Sequence, residues 1–439
     1  MADYLAASEH EINEMLEAIQ HPTLEDLFAH IPMPARLTGK LNLEDGLSEM
    51  EVLQKMSEIA NKNKVYPSLF RGAGAYRHYI PSIVNHLSSR SEYVTSYTPY
   101  QAEVAQGTLQ TIFEFQTMIT RLTGLYAANA SMYDGSNAAG EALMMAQDRK
   151  RHRVLISETI NPGVMKVILT YCYCFDMPYE IIPSKNGLID ISSFESLIDS
   201  ETSCVYVEQL NYHGLIEDVK AISTIAKKHN IKTIMGANPI ALAILPNAAE
   251  CGADICVGEG QPLGLPLSYG GPYLGFMSAS QEMMRKLPGR IVGETTDNKG
   301  QTAYVLTLQA REQHIRREKA SSSICSNQSL MAVRATIYLA TVGPQGLRDI
   351  AQRCVDHAHY LAENFTQIDG LKLKYDGEFF HEFVTITKNK SSQILEALKK
   401  ENILGGLKLN EHEILWCATE VNTKDEMDKV THIIREVLS

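Results

Sequence analysis

The stretch Asp254-Ile255-Cys256-Val257-Gly258-Glu259-Gly260-Gln261-Pro262-Leu263-Gly264 decides which fold this chain adopts. Ile255-Cys256-Val257 is a short apolar, β-branched run that stops on closely spaced glycines, the pattern of a buried strand feeding a loop. The glycines invite a dinucleotide-loop reading, but such a loop must open a helix so that its first amides face pyrophosphate. Here Pro262 and Pro266 interrupt the chain, and Ser268-Tyr269-Gly270-Gly271-Pro272 turns into another strand-like run, Tyr273-Leu274-Gly275-Phe276-Met277. Strand–loop–strand excludes that site. Working outward, Val154-Leu155-Ile156 follows a helical segment rich in Ala and Met. Cys204-Val205-Tyr206-Val207 follows an acidic helical segment, and Thr233-Ile234-Met235 follows residues 219–229, whose apolar positions recur at helical spacing. Strands alternating with helices imply a mostly parallel sheet covered on both faces, an α/β fold.

The alternation extends over residues 66–343, read as one large domain. Gly343-Pro344 punctuates its end, and 344–439 reads as a smaller α/β domain, with helices near 347–364, 392–400 and 424–437 and strands near 371–374, 383–387 and 414–418. Residues 1–65 read as a helical arm. Ser8 with Glu11, and Ser48 with Glu51, fit the capping box, in which each end satisfies an orphan backbone N–H. Ile31-Pro32-Met33-Pro34 separates the two helices, since proline lacks the N–H that a helix interior needs.

Apolar residues make up 44% of the 439 and charged residues 21%, as in ordinary globular proteins. The net charge of −12 argues against nucleic acid, whose binding needs a basic face. No run approaches the roughly 20 apolar residues of a membrane span. The acidic start, without an apolar core segment, does not read as a targeting signal. Cys172, Cys174, Cys204, Cys251, Cys256, Cys325, Cys354 and Cys417 are scattered without a CxxC pair, so buried free thiols in a reducing cytoplasm are expected rather than a zinc site. His357 and His359, two apart on a helix, face different ways and do not read as metal ligands; a structural hydrogen bond is expected for His213.

Arg71-Gly72-Ala73-Gly74-Ala75-Tyr76 lacks the third glycine of a dinucleotide loop and reads as a turn. Tyr133-Asp134-Gly135-Ser136-Asn137-Ala138-Ala139-Gly140 differs, because a turn of small polar residues leads straight into a helix. That is either an anion site on exposed N–H groups or a plain cap by Ser136 or Asn137.

Together these pieces resemble fold-type I pyridoxal phosphate enzymes. In that family a small-residue loop opening a helix holds the cofactor phosphate, and an aromatic or His stacks on the ring. An Asp pairs the pyridine nitrogen, and a Lys beyond a later strand forms the Schiff base. The resemblance narrows at Tyr97-Thr98-Pro99-Tyr100-Gln101-Ala102-Glu103 with Gln106-Gly107, at Leu287-Pro288-Gly289-Arg290-Ile291-Val292-Gly293, at Arg311-Glu312-Gln313-His314-Ile315-Arg316-Arg317-Glu318-Lys319-Ala320 and at Ser323-Ile324-Cys325. These phrases are similar to the N-terminal half of the glycine cleavage P-protein, which many bacteria encode as a separate subunit, and the resemblance runs the length of the chain.

Against the cofactor-binding half of that family, Asn161 falls where the stacking His stands and Met235 where the Asp stands. Gln261-Pro262 falls where the Schiff-base Lys is carried; no lysine occurs between Ile234 and Arg285. Met235 cannot accept the pyridinium hydrogen bond, worth roughly 1.5–3 kcal/mol. Asp134, Gly135, Ser136, Asn137, Asn161, Met235, Gln261 and Pro262 therefore read as vestigial cofactor positions, and no cofactor is expected on this chain.

The resemblance implies a heterotetramer of two such chains and two partners bearing pyridoxal 5'-phosphate. The activity implied is glycine dehydrogenase (decarboxylating): glycine loses carbon dioxide, and the aminomethyl group passes to the lipoyl arm of the H-protein, in the cytoplasm. Since sites of this family lie at subunit interfaces, residues expected to line the partner's site are Tyr97, Tyr100 and Gln101; the basic set His314, Arg316, Arg317 and Lys319; and Ser326, Asn327 and Gln328 ahead of a helix from Ser329. Rival readings are an independent pyridoxal phosphate enzyme, a non-catalytic scaffold, and a regulatory subunit binding a phosphate ligand at Asp134–Asn137.

Overall fold

A computed structural model describes residues 7–37, 39, 41–148, 150–320, 322, 324 and 327–439. Met1–Val65 and Tyr66–Ser439 are two compact units. In the first, helices Glu9–Ala18 and Glu49–Ala60 each open on a complete capping box. Ser8 accepts from the Glu11 N–H while the Glu11 carboxylate accepts from the Ser8 N–H, and Ser48 and Glu51 do the same. Pro32 precedes a single 3-10 turn, Met33–Ala35.

The second unit is built on a seven-stranded sheet. Its strands lie in the order Ala127–Ala128, Gly275–Ala279, Ile255–Glu259, Lys232–Gly236, Thr202–Glu208, Arg153–Ser157 and Tyr179–Ile182. The last five are mutually parallel, and Gly275–Ala279 runs antiparallel to both its neighbours. Successive residues feed opposite faces: Val205, Val207, Met235 and Cys256 join one buried cluster, and Cys204, Tyr206, Ile234, Ile255 and Val257 the other. With both faces covered, the strands can be apolar throughout, which is why they read as continuous runs. The strand expected at 273–277 is displaced two residues onward.

A second, antiparallel sheet orders Leu371–Leu373, Glu382–Thr387, Glu413–Cys417 and Leu407–Lys408. Its core gathers on Trp416, fully buried, whose indole N–H donates to Thr385 Oγ1 at 2.8 Å. The helical run Ser329–Thr366 crosses the Gly343-Pro344 punctuation. Gly343 takes φ +62°, and helix resumes at Pro344, where a missing N–H costs nothing.

The two sheets meet through the loop after Glu208. The Ile216 N–H donates to the Glu378 carbonyl at 3.0 Å, and a Cβ on Gly214 (φ +87°) would fall 1.9 Å from the Glu382 carbonyl oxygen. Gly214→Ala therefore combines a strained φ with a backbone clash. A loss of at least about 2 kcal/mol is expected in urea unfolding; a loss under about 0.5 kcal/mol would show that this contact yields freely.

Candidate functional site

A cavity of about 400 Å³ opens where the parallel strands end, the place where such sheets bind ligands. Its walls are strand termini (Glu208, Gly236, Gly258, Glu259), the start of helix Gly135–Ala146, Asn161, and the segment Gly72–Tyr76. Gly72–Tyr76 is thus no nucleotide loop but a wall. It is held by Gln261, which is 1% exposed: its Oε1 accepts from the Tyr76 N–H and its Nε2 donates to the Tyr76 and Leu265 carbonyls, each at 2.8 Å.

The positions expected to be vestigial separate. Asp134, Gly135, Ser136 and Asn161 line the cavity; Met235 is buried within the sheet core. Asn161 caps the next helix by accepting from the Gly163 N–H at 2.8 Å, and its Nδ2 donates to the Ala73 carbonyl at 3.1 Å. The cap of helix Gly135–Ala146 is neither Ser136 nor Asn137 but Asp134, whose extended backbone lets its carboxylate accept from the Asn137 N–H at 2.7 Å. The Asn137 side chain instead donates to the Tyr171 hydroxyl at 2.7 Å. Lys232 pairs with Asp254 and Lys286 bonds the Met145 and Gln147 carbonyls; neither lines the cavity.

What the sequence did not disclose is a set of desolvated carboxylates, Glu382 buried and Glu208 and Glu259 half-buried at the cavity. Glu259 accepts the N–H groups of Gly135 (3.0 Å), Gln261 (2.9 Å) and Leu274 (3.0 Å). Glu208 accepts from the Asn161 N–H at 2.8 Å, and Glu382 accepts from the Tyr76 hydroxyl at 2.8 Å and the Ala73 N–H. Burial drives all three up to about 7, against the hydrogen bonds that favour their charged forms. Among the described residues no lysine or arginine lines the cavity. Pyridoxal phosphate does not fit this set. Its phosphate would meet Glu259 at the helix start, with no cation to balance it and no side-chain amine to hold the ring.

The raised carboxylates fix the sign of a pH effect. Between their unfolded value of 4.5 and about 7, the native chain holds protons that the unfolded chain has released. Stability therefore falls as pH rises through that window. The melting temperature is expected to be higher near pH ~6 than near pH ~8, and Glu208→Gln to flatten the difference. A melting temperature that rises over this range would contradict the burial argument.

Among the described residues, none of those expected to line a partner's site is in this cavity. Two of them, Tyr100 and Asn327, meet at Arg290, which is 5% exposed, and a third, His314, packs on Tyr100. Arg290 donates to the Tyr100 hydroxyl (3.3 Å) and to Asn327 Oδ1 (3.4 Å), and its guanidinium lies 5.2 Å from the Tyr100 ring centre. His314 sits edge-on to Tyr100 at 6.0 Å, and Asn327 Nδ2 donates to Ser131 Oγ at 2.7 Å. Tyr97, 90% exposed, and Gln101 stand outside this set, as do the exposed Arg316, Arg317 and Lys319. Gln328 stands at the cap of helix Ser329–Thr366 without a side-chain capping bond. Ser326, Ser323 and Cys325 lie outside the described residues. Arg290 was hidden inside the motif phrase at 287–293, where nothing in its own segment marks it as buried.

Gln106 is structural: its side chain bonds both the N–H and the carbonyl of Tyr304, at 2.9 Å each, clamping the hairpin Ile291–Thr296/Thr302–Thr307. His357 and His359 bond the Thr419 and Phe379 carbonyls at 2.9 and 3.0 Å. His213 departs from expectation: its Nδ1 is buried without a hydrogen-bond partner, and its ring packs on Tyr375 at 5.0 Å. Of the described cysteines, Cys174 alone is exposed. No helix among the described residues is long and apolar enough to cross a membrane.

A mostly parallel seven-stranded sheet with its cavity at the strand ends, followed by a small antiparallel sheet, is the architecture of the fold-type I pyridoxal phosphate enzymes. A sphingosine-1-phosphate lyase of Burkholderia pseudomallei shares it at a TM-score of 0.67, with 13% identity over 93% of this chain and 94% of that one. Within that class, the chain belongs to the glycine cleavage system P-protein family, whose model matches residues 2–434. It is 43% identical to a "Probable glycine dehydrogenase (decarboxylating) subunit 1" of Desulfitobacterium hafniense, over 99% of this chain and 100% of the relative. A crystal structure of glycine decarboxylase (P-protein) of the glycine cleavage system, in inhibitor-bound form, matches at a TM-score of 0.92 and 36% identity, over 99% of this chain and 100% of that one.

Proposed function

We propose that this chain is subunit 1 of a cytoplasmic glycine decarboxylase and acts in a heterotetramer with two copies of a second subunit that carries pyridoxal phosphate. The observation that carries this reading is a strand-end cavity lined by Glu208 and Glu259 and, among the described residues, by no lysine or arginine, in a chain that matches subunit 1 relatives end to end. The cofactor, on the partner, supplies electron withdrawal from glycine as carbon dioxide leaves, and the lipoyl arm of the H-protein takes the aminomethyl group. This chain's share is to wall the partner's pocket: Tyr97, Tyr100 and Gln101 present aromatic and amide edges, Asn327 and Gln328 offer donors, and His314, Arg316, Arg317 and Lys319 supply positive charge toward a substrate carboxylate.

The test is glycine-dependent carbon dioxide exchange, together with the visible absorbance of added pyridoxal phosphate, for the purified chain alone and then mixed with its partner. Both signals are expected only in the mixture. Exchange by the chain alone would mean an independent enzyme. A scaffold is the second reading, favoured by Tyr97 and Gln101 standing apart from the Tyr100–Arg290–Asn327 contacts. Tyr97→Phe and Gln101→Ala separate the two: undiminished turnover in both variants leaves the scaffold standing.

A further inference from the structure

The start of helix Gly135–Ala146 is an anion site by construction, yet the anion it holds is the chain's own. Gly258-Glu259 ends its strand so close to the helix that a Cβ on Gly135 would fall 2.8 Å from the Glu259 nitrogen. From there the Glu259 carboxylate spans three N–H donors on three separate segments: Gly135 on Oε2 at 3.0 Å, and Gln261 and Leu274 on Oε1 at 2.9 and 3.0 Å. Positive helix ends and converging amides stabilise any anion placed among them, and a phosphate monoester would use the same donors. We infer that Glu259 is an internal anion that closes the phosphate cradle of this chain, and that removing its carboxylate reopens a site for a phosphate monoester. Closure is then positive chemistry at one residue, beyond the mere loss of a lysine. Restoring an amine alone would not restore cofactor binding, because the phosphate would still meet Glu259. Asp134 does not substitute for it, since its carboxylate is committed to the Asn137 N–H at 2.7 Å.

The inference rests on the reading that this chain carries no cofactor, and the test separates the two. Equilibrium dialysis with inorganic phosphate and with pyridoxal phosphate, and thermal melts across a phosphate series, are run on the full wild-type chain, Glu259→Ala and Glu259→Gln at pH ~8, above the value of about 7 to which burial raises Glu259, so that its carboxylate is charged. Glu259→Ala is expected to bind both probes roughly tenfold or more tighter than wild type, and its melting temperature to rise with phosphate. Glu259→Gln keeps the volume but replaces one acceptor oxygen by a donor amide. It is expected to bind between the two, and it carries the test if the alanine variant does not fold. A folded variant that binds no more phosphate than wild type overturns the closure. Borohydride-stable attachment of pyridoxal phosphate to wild type would instead overturn the cofactor-free reading.

Discussion

Replacing Glu420 by alanine is expected to cost at least about 3 kcal/mol, since each buried donor left without its acceptor costs about 1–3 kcal/mol. Glu420 follows the last strand of the small sheet and is surrounded by groups that only it satisfies. His78 Nδ1 lies 2.7 Å from Oε2, the Tyr79 N–H donates to Oε1 at 2.7 Å, and the Cys354 thiol approaches Oε2 at 3.5 Å. His78 and Glu420 side chains are 2% and 8% exposed, so water cannot readily replace the lost His78 contact. The pair joins the segment ahead of helix Ser82–Ser88, the long helix Ser329–Thr366 and the small sheet. Burial pushes the Glu420 carboxyl up, but the His78 hydrogen bond and charge and the Tyr79 N–H together outweigh it and hold it below 4.5. The sign follows: below 4.5 the unfolded chain takes up a proton before the native chain does. The stabilisation, complete above 4.5, is lost as pH falls through the native value. Glu420→Gln keeps an acceptor for the Tyr79 N–H and loses the charge, so about 1–2 kcal/mol is expected. Urea unfolding near neutral pH measures both. A cost under about 1 kcal/mol for the alanine would mean that the surroundings collapse onto the gap or admit water.

The two carboxylate systems show what the sequence could and could not disclose. Buried strands were legible because a sheet covered on both faces needs apolar residues at every position, so Cys204–Val207 and Ile255–Val257 stand out without any partner being known. The capping boxes at Ser8 and Ser48 were legible because both partners lie within one turn. Glu208, Glu259 and Glu382 were not, since each is an ordinary acid in its own segment and becomes unusual only where three strand ends converge. Asp134 was missed as the cap because capping depends on which backbone is extended, here φ −156° and ψ 175°, and Asp, Ser and Asn suit that role alike. Gln261 was singled out only against the family's lysine position; its part as the clip on Gly72–Tyr76, which lies far away along the chain, was not legible. The motif phrases fared likewise: Tyr100 and Asn327 were singled out as candidates, and only the fold reveals that Arg290 joins them.

That junction sets the second large effect. Changing Arg290 to methionine is expected to lower glycine-dependent carbon dioxide exchange by the assembled complex roughly 10²-fold, the usual cost of misplacing groups around a reacting centre. The role expected of Arg290 is to position its neighbours. Its fork engages the Tyr100 hydroxyl on one nitrogen and Asn327 on the other, while its own carbonyl accepts from the Ala130 N–H at 2.8 Å and fixes its backbone. Lysine offers one compact charge and cannot serve both partners along two directions. Arg290→Lys should therefore assemble as wild type does and recover only part of the turnover. A purely structural role would change melting and assembly together with activity. A positioning role leaves the heteromer intact by sedimentation and lowers kcat more than it raises KM for glycine. If the methionine variant assembles and turns over normally, the Tyr100–Arg290–Asn327 set does not face the reaction. If it fails to assemble, the lysine variant decides: full turnover in a normally assembled lysine complex would reduce Arg290 to a structural charge.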